Sequence, residues 1–433
     1  MKKLKIILCI FLIGVIFSGC NFRMASSIDD LVSPIPPFGD NADVQKALDT
    51  YNKNRYSLKT PKKGNYITSY SFYDIDKDGV DEAIAFYEPS DDLGTISMAM
   101  IKNNNEQWVV VDSVQGVGKD VYSLSFEDVN GDKLDELIVC WDVISNSSNH
   151  ELCVYNYSAS KDKVLLRQIG KSKTVNNYIC LDMNKDSVDE LLLFEINTGN
   201  STKAKAQLFS LKKNSFDLLG ETKLDSHIVS YSNLHIEKAE EEVRVYADAI
   251  CADGASMLTE IIYWSNRYDS IVSPFYSYST GMTKETRRNA RINSTDNDSD
   301  KLVEIPTDKS IKGIPKKVKA VDWKIYKNTT LVHSNYSLVA VDDGYSVIIP
   351  DSYINNISVS YNDKKHILSV KMKSDKSDVF SVASVLKTAY NKEDYKNFTV
   401  VCEESGYYYL AKVSDSNKDI TLKDIKNSFK ILN

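Results

Sequence analysis

The chain has 433 residues, of which 42% are apolar, and its 60 acidic side chains outnumber its 53 basic ones, giving a net charge of −7. This apolar fraction supports a sizeable buried core and excludes wholesale disorder. The acidic balance argues against a nucleic-acid partner, because such a partner requires a basic surface. The length corresponds to two or three domains.

The N-terminus predicts a targeting segment rather than part of the fold. Three lysines precede the apolar run 6–17, which is too short to cross a bilayer, since crossing takes about 20 residues. The run ends in Phe17-Ser18-Gly19-Cys20, which resembles the lipobox of bacterial lipoproteins. The resemblance implies that residues 1–20 are a signal peptide and that Cys20 is lipidated. The lipid would hold the protein at the outer face of the cytoplasmic membrane of a Gram-positive bacterium. Ordinary secretion, with Cys20 incidental, is the alternative.

Two further segments precede the main fold. Residues 21–40 predict a polar, proline-containing tether between the lipid and the folded part. The stretch NADVQKALDTYNKN that follows is typical of a short helix, with Asn41 or Asp43 as its N-cap.

An acidic pattern repeats along the chain at a fixed interval. The segment DIDKDGVDE begins at Asp74, and related segments begin at Asp128 and Asp182, each 54 residues after the one before. A further step of 54 reaches Ile236, where the following strand pattern is kept but the acidic residues are lost. A last acidic copy begins at Asp296. Five copies at a nearly constant period indicate a repeat architecture.

Each copy contains four short strand patterns separated by polar turns, which is the content of one β-propeller blade. The predicted fold is therefore mainly β, with a propeller of four-stranded blades over residues 41–341, including the N-terminal helix. Counting copies gives five blades, and six or seven stay open. The acidic pattern stops after the fifth copy, so residues 342–433 are predicted to form a small α+β domain with a hairpin near Ser405-Gly406 and a closing helix.

The repeated motif Asp-x-Asp/Asn-x-Asp-x-x-Asp-Glu lies between two strands and resembles the FG-GAP and VCBS repeats of integrin-like propellers. The chain is also similar to lipoproteins of Firmicutes that carry such repeats. The resemblance covers roughly residues 65–345 and implies that calcium binds at the hairpin of each blade. No copy contains the Phe-Gly and Gly-Ala-Pro pieces of the FG-GAP consensus, so the match is to the calcium loop and the blade.

Calcium prefers six to eight oxygen ligands, which loops with carboxylates or amides at positions 1, 3, 5 and 9 provide. The predicted metal ligands are Asp74, Asp76, Asp78 and Glu82; Asp128, Asn130, Asp132 and Glu136; Asp182, Asn184, Asp186 and Glu190; and Asp296, Asp298, Asp300 and Glu304. The carbonyl of Val80 is a further candidate. An EF-hand is excluded, because its position 12 glutamate would fall in an apolar strand. The alternative is that these residues only form hairpin turns.

The copies differ at position 6, where a backbone with positive φ is expected. Only the first copy has a glycine there, Gly79, so the first site ranks firmest and the third ranks next.

Patterns typical of catalysis are missing from the sequence. There is no HExxH or GxSxG motif, and GVGKD at residues 116–120 is interpreted as a turn between blades. Five cysteines follow Cys20 without CxxC spacing, which indicates neither a disulfide framework nor a zinc site. We expect a non-catalytic, calcium-braced extracellular propeller that binds a protein or a cell-wall glycan. The alternatives are a cell-wall polysaccharide lyase or hydrolase on the same scaffold and, third, an assembly factor for exported proteins.

Overall fold

The computed structural model describes residues 39–104, 107–144, 148–160, 163–196, 204–239, 242–414 and 419–432. The predicted signal peptide, the predicted lipidation site Cys20 and nearly all of the predicted tether lie outside the described residues. None of the helices among the described residues has the length and apolar character needed to span a membrane.

The described residues form six antiparallel sheets of four or five strands, which follow one another in chain order. The first sheet contains β1 (Tyr56–Lys59), β2 (Tyr70–Tyr73), β3 (Glu82–Pro89), β4 (Ser97–Asn104) and β5 (Gln107–Gln115). The second contains β6 (Asp120–Glu127), β7 (Glu136–Asp142), β8 (His150–Ser160) and β9 (Lys163–Val175). The third contains β10 (Asn177–Leu181), β11 (Glu190–Glu195), β12 (Lys205–Ser210) and β13 (Asp217–Lys223).

The second half of the chain continues this arrangement. The fourth sheet contains β14 (Ile228–Lys238), β15 (Val243–Cys251), β16 (Met257–Ser265) and β17 (Ser270–Val272), and a short hairpin of β18 (Tyr276–Ser277) and β19 (Met282–Thr283) follows it. The fifth contains β20 (Glu304–Lys309), β21 (Val318–Lys327), β22 (Thr330–Ala340), β23 (Tyr345–Ile349) and the last strand, β29 (Phe429–Ile431). The sixth contains β24 (Ile357–Asn362), β25 (Ile367–Met372), β26 (Asp378–Leu386), β27 (Thr399–Glu404) and β28 (Tyr407–Val413).

Consecutive sheets pack face to face. Successive side chains of a strand point to opposite faces of the sheet, and both faces carry apolar side chains that can pack against a neighbouring sheet. One buried cluster joins the first and second sheets through Phe86 and Trp141, and another joins the second and third through Ile138 and Leu193. Further clusters join the third sheet to the fourth, the fourth to the fifth and the fifth to the sixth. Four-stranded sheets stacked in chain order are the blades of a propeller, so the predicted mainly β fold class is confirmed. Five of the six sheets correspond to the five predicted blades, and the sixth lies within residues 342–433, for which a small α+β domain is predicted.

The predicted turn GVGKD does connect two sheets, since it links the end of β5 to the start of β6. A Cβ atom on Gly116 would lie 2.4 Å from the ring of Trp141, and one on Gly118 would lie 2.7 Å from Trp141 Cβ. The glycines therefore make room for a tryptophan that is fully buried.

Both ends of the described chain contain helices. Helix α1 (Asp40–Asn52) packs Val44 and Leu48 against the first sheet. Its N-cap is Gly39 with no side-chain cap, so the predicted cap at Asn41 or Asp43 is wrong: both residues lie inside the first turn, where Asp43 instead complements the helix dipole.

The C-terminal region contains both helix and strands, and the hairpin at Ser405-Gly406 is confirmed. The closing helix α2 (Leu422–Ser428) is shorter than predicted, because the chain continues as β29, which pairs with β23. The predicted propeller region ends at residue 341, which lies in the turn between β22 and β23, two paired strands of the fifth sheet.

Candidate metal centres

The four acidic loops have the same backbone conformation, which two hydrogen bonds define. The aspartate at position 1 accepts a bond from the N–H of position 6, and the glutamate at position 9 accepts one from the N–H of position 2. The first bond joins Asp74 to Gly79 (3.0 Å), Asp128 to Lys133 (2.9 Å), Asp182 to Ser187 (2.9 Å) and Asp296 to Lys301 (3.1 Å). The second joins Glu82 to Ile75 (3.0 Å), Glu136 to Val129 (3.1 Å), Glu190 to Met183 (3.0 Å) and Glu304 to Asn297 (2.6 Å).

Position 6 has positive φ in every acidic loop, as expected. The angle is 89° at Gly79, 74° at Lys133, 73° at Ser187 and 75° at Lys301. The three residues with side chains adopt this conformation at a cost that glycine avoids. Glycine at position 6 is therefore not a condition for forming the loop.

Each loop touches the equivalent region of the next sheet, so the loops lie side by side in one row. Lys77 Nζ lies 2.5 Å from Asp135 Oδ2, and Gly131 packs so closely on Val188 that a Cβ there would lie 2.8 Å away. Lys185 donates to the carbonyl of Ala239 (3.1 Å), and the Val303 N–H donates to Glu237 (2.8 Å). The row runs from the first sheet to the fifth.

In the first loop, the ammonium group of a lysine lies among the carboxylates that are the predicted metal ligands. Lys102 extends from β4, and its ammonium lies 2.5 Å from Asp76 Oδ2, 3.0 Å from Glu82 Oε1 and 3.9 Å from Asp78 Oδ2. The carboxylates of Asp74, Asp76 and Asp78 also lie together, with oxygens within 4.8 Å of one another. This loop therefore contains a cation supplied by the protein, which sequence reasoning missed when it ranked the first site firmest.

The fourth copy also carries its own cation. Arg244 stands at the position that glutamate takes in the other copies, and its guanidinium lies 2.7 Å from Glu237 and 2.5 Å from Glu242. Glu237 is buried at position 2 of its copy, so this ion pair neutralises a different buried glutamate from that of the acidic loops.

In the second loop, the position 9 glutamate is hydrogen-bonded by a side-chain amide instead of being paired with a cation. Asn130 donates to Glu136 Oε1 (2.5 Å) and to Asp132 Oδ2 (3.1 Å). Desolvation by burial, and then the charge of Asp132, raise the pKa of Glu136 to about 8.

The third loop brings its predicted ligands together around a carboxylate oxygen without a partner. Oxygens of Asp182, Asp186 and Glu190 lie within 4.8 Å of one another. Glu190 is 1% exposed, and among the described residues its Oε1 has no hydrogen-bond partner. Burial raises the pKa of Glu190 to about 7. Lys212 contacts Asp186 but not Glu190.

The fifth loop is similar. Asp296, Asp298 and Asp300 lie within 4.8 Å of one another, and Glu304 is fully buried. Glu304 Oε1 has no partner within the described part of the chain, and burial raises the pKa of this carboxyl to about 8. Lys430 contacts the loop at the Asp296 carbonyl (3.2 Å) and Ser299 Oγ (2.9 Å), away from the glutamate.

The donor set of the third loop fits a hard divalent cation such as calcium, because oxygens of two aspartates lie close to a buried glutamate whose Oε1 has no partner among the described residues. The fifth loop offers a cluster of three aspartates and, apart from it, a buried glutamate whose Oε1 also has no described partner. The hydrogen bonds within the loops also form turns, as the alternative interpretation expects.

No protein-family model matches the chain, and no curated protein matches it. Among solved structures, the chain is similar to the Dos1 propeller, with 10% identity over 79% of this chain and 82% of that chain and a TM-score of 0.29. The resemblance to FG-GAP and VCBS repeats thus stays a prediction.

Proposed function

We propose that this chain is a non-catalytic propeller of the FG-GAP/VCBS calcium-loop type, braced by calcium and anchored by lipid at Cys20. It would stand on the outer face of the cytoplasmic membrane of a Gram-positive bacterium and bind a protein or a cell-wall glycan. The observation that carries the calcium part is the buried Oε1 of Glu190, which faces two aspartates and has no partner among the described residues.

A charged oxygen in this position is expensive without a cation. Leaving a buried polar group unpaired costs about 1–3 kcal/mol, and more for a charged group. Calcium would bind the carboxylates of Asp182, Asp186 and Glu190. The side-chain oxygen of Asn184 would join them once this amide, which now donates to Asp186 (3.1 Å), turns its oxygen inward. The fifth loop would bind calcium through Asp296, Asp298, Asp300 and Glu304.

The other copies support this interpretation by contrast. Lys102 in the first and Arg244 in the fourth provide a positive charge to the buried glutamate of their own copy. Two copies therefore supply their own cation to a buried glutamate, and calcium would supply it in the third and fifth. The second loop, with Asn130 as donor, would bind calcium only after that amide turns its oxygen inward.

The role of the ion would be structural. The glutamate of each acidic loop is the first residue of the strand that follows the loop. Neighbouring loops in the row also contact each other. An ion in the loop would thus stiffen one end of the blade stack. Extracellular sites of this kind work with dissociation constants of about 10⁻⁴–10⁻³ M.

The calcium proposal is tested by thermal unfolding of the purified protein in calcium, in magnesium and in a chelator. We expect calcium to raise the melting temperature and Glu190→Gln to reduce the increase. Glu221→Gln, an exposed glutamate outside the loops, should leave it unchanged. A melting temperature independent of calcium would remove the ion from the proposal.

The anchoring proposal has its own test. Cys20→Ala should move the protein from the membrane fraction to the medium, whereas Cys180→Ala should not. Retention of the Cys20 variant at the membrane would refute the lipid anchor. Affinity capture from the cell surface, with and without calcium, would then identify the partner.

A polysaccharide lyase or hydrolase is the second candidate, and one cluster favours it. His366 Nδ1 lies 2.8 Å from Asp343, and the Tyr361 hydroxyl donates to the same carboxylate (2.6 Å) beside a cavity of about 530 Å³. Burial, and then the hydrogen bond to Asp343, raise the pKa of Tyr361, so this hydroxyl stays protonated and is a poor general base. We therefore assign the cluster to binding.

A further inference from the structure

Two cavities adjoin at the turn between β22 and β23. One, of about 390 Å³, is lined by Arg291 and His235, and the other, of about 530 Å³, is lined by His366 and Tyr407. Both include Val341 and Gly344, so the turn forms their common wall. Each volume is within the range of small-ligand sites, about 300–1,000 Å³, and the two adjoining cavities are together called the groove below.

The C-terminal strand holds this wall in place. The Leu432 N–H donates to the Gly344 carbonyl (2.8 Å), and the Gly344 N–H donates to the Ala340 carbonyl (3.0 Å). Gly344 has φ of 66°, which glycine adopts without strain. The groove is thus built on paired strands rather than on a free loop.

Two lysines of the groove have no ion-pair partner among the described residues, although the chain as a whole is acidic and Asp342 and Asp343 line the same cavity. Lys364 and Lys365 line the larger cavity, and in the described part of the chain no ion pair involves either of them. Their backbone N–H groups donate to Asn362 Oδ1 (3.0 and 3.1 Å), which fixes the turn that presents them.

The acidic groups beside these lysines are already engaged. The carboxylate of Asp343 accepts from Tyr361 and contacts His366, and Asp342 pairs with Lys317 at 3.1 Å. No acidic side chain lines the smaller cavity within the described residues, while Arg291 does. A bound anion would therefore meet Lys364, Lys365 and Arg291, which have no ion-pair partner among the described residues, although Arg291 also donates to the Gly254 carbonyl.

Aromatic side chains form one wall of the larger cavity. Tyr407 and Tyr409 alternate along β28, with ring centroids 6.4 Å apart and an interplanar angle of 31°. Tyr407 is 37% exposed, and Tyr395 lines the same cavity. An exposed tyrosine offers an apolar face and a hydroxyl, which suits the flat C–H face of a sugar ring and its hydroxyls.

We propose that this groove binds an acidic oligosaccharide, with sugar rings on Tyr407 and carboxylates on Lys364, Lys365 and Arg291. The inference rests on the proposed binding function and names its site and ligand class. The carbohydrate would lie across the β22–β23 turn and extend from one cavity into the other.

Calorimetric titration of the purified protein with a hyaluronan hexasaccharide tests the proposal, and chitohexaose serves as a neutral saccharide of the same length. We expect the acidic hexasaccharide to bind at least tenfold more tightly than chitohexaose. Tyr407→Ala and the double variant Lys364→Glu/Lys365→Glu should each lower its affinity at least tenfold. The double variant Lys46→Glu/Lys119→Glu makes the same change of charge elsewhere on the surface and should bind like the parent protein.

Three outcomes would overturn the inference: no binding of the hexasaccharide, equal losses in the two double variants, or hexaglutamate binding as tightly as the saccharide. If any of these occurs while calcium still raises the melting temperature, the braced propeller stands and only its ligand site is wrong. Cleavage of the hexasaccharide, detected as new reducing or unsaturated ends, would instead overturn the non-catalytic part of the proposed function.

Discussion

Lys102 and Glu82 form an ion pair of 3.0 Å, and the lysine lies close to three carboxylates of the first acidic loop. Glu190 and Glu304 occupy the same position in their loops without such a partner among the described residues. The acidic repeats therefore differ in how they balance the charge of one buried glutamate, although their backbone is the same.

Lys102→Met should make the first loop dependent on calcium. Removing one partner of a buried ion pair costs about 3–5 kcal/mol, because the other charge stays buried and unpaired. In a chelator the variant should therefore melt well below the parent protein. Calcium should restore most of the loss, since four side-chain oxygen ligands are left facing the site.

Arg244→Met is the matched control for that variant. It also removes a cation from the row, but the fourth copy has lost the aspartates at positions 1, 3 and 5. It should be destabilised like Lys102→Met, and calcium should not restore it. Equal rescue of both variants, or of neither, would contradict the interpretation of Lys102 as a substitute for the metal.

Glu304→Gln should show how the buried negative charge of the fifth loop affects stability, because the substitution removes the charge and keeps a side chain of similar shape. Glutamine keeps an acceptor for the Asn297 N–H, which donates to Glu304 at 2.6 Å, and it removes the buried negative charge. In a chelator the variant should melt at or above the parent temperature, and its increase with calcium should be smaller. An unchanged increase would show that the fifth loop binds no calcium.

Glu260 should make stability depend on pH. Its carboxylate is fully buried, accepts hydrogen bonds from Asp225 N–H and Ser273 (both 2.8 Å), and burial raises its pKa to about 7. Between the unfolded value of about 4.5 and the folded value, the folded state holds a proton that the unfolded state has lost. The free energy of unfolding should thus fall as pH rises through this window, by up to about 1.4 kcal/mol per pH unit.

Denaturant unfolding of Glu260→Gln between pH 4.5 and 8 measures this contribution. The variant should show a shallower fall than the parent protein over the same range, because glutamine does not titrate. Parallel curves for the two proteins would mean that Glu260 titrates alike in the folded and unfolded states.

Gly116→Ala should destabilise the contact between the first and second sheets. The added methyl would lie 2.4 Å from the Trp141 ring, and overpacking of this kind costs about 1–3 kcal/mol. Ser90→Ala, at an exposed position, should change the melting temperature little. Equal melting temperatures for both variants would show that the ring moves aside freely.

Much of the fold was predictable because the repeat is encoded locally. The acidic segments that begin at Asp74, Asp128 and Asp182 each span only nine residues. The turn that they share, and the strands beside it, therefore follow from short-range sequence patterns. The sixth sheet has no acidic loop. Its strands can be recognised in the sequence, but the acidic repeat, from which the blades are counted, does not include them.

The cations of the row were not predictable in the same way. Lys102 is 20 residues beyond Glu82, and it reaches the loop because β3 and β4 pair with Ala83 opposite Ile101. The residues at the equivalent position on the next strand are Asn156 in the second sheet and Ser210 in the third, as the pairing of Leu137 with Tyr155 and of Leu191 with Phe209 shows. At this one position, strand register, which the sequence does not state, places a lysine opposite the glutamate of the first loop and neutral side chains opposite those of the second and third.

The pairing of β29 with β23 has a consequence for how the molecule is made. The whole sixth sheet is inserted between these two strands, so the fifth sheet is incomplete until β29 has been synthesised. A ribosome-bound or C-terminally shortened polypeptide would expose the open edge of β23, which is a template for association with other chains. Completion of the fifth sheet is therefore expected to be a late step of folding, which a reporter inserted directly after β29 would disturb more than one inserted ahead of the first helix.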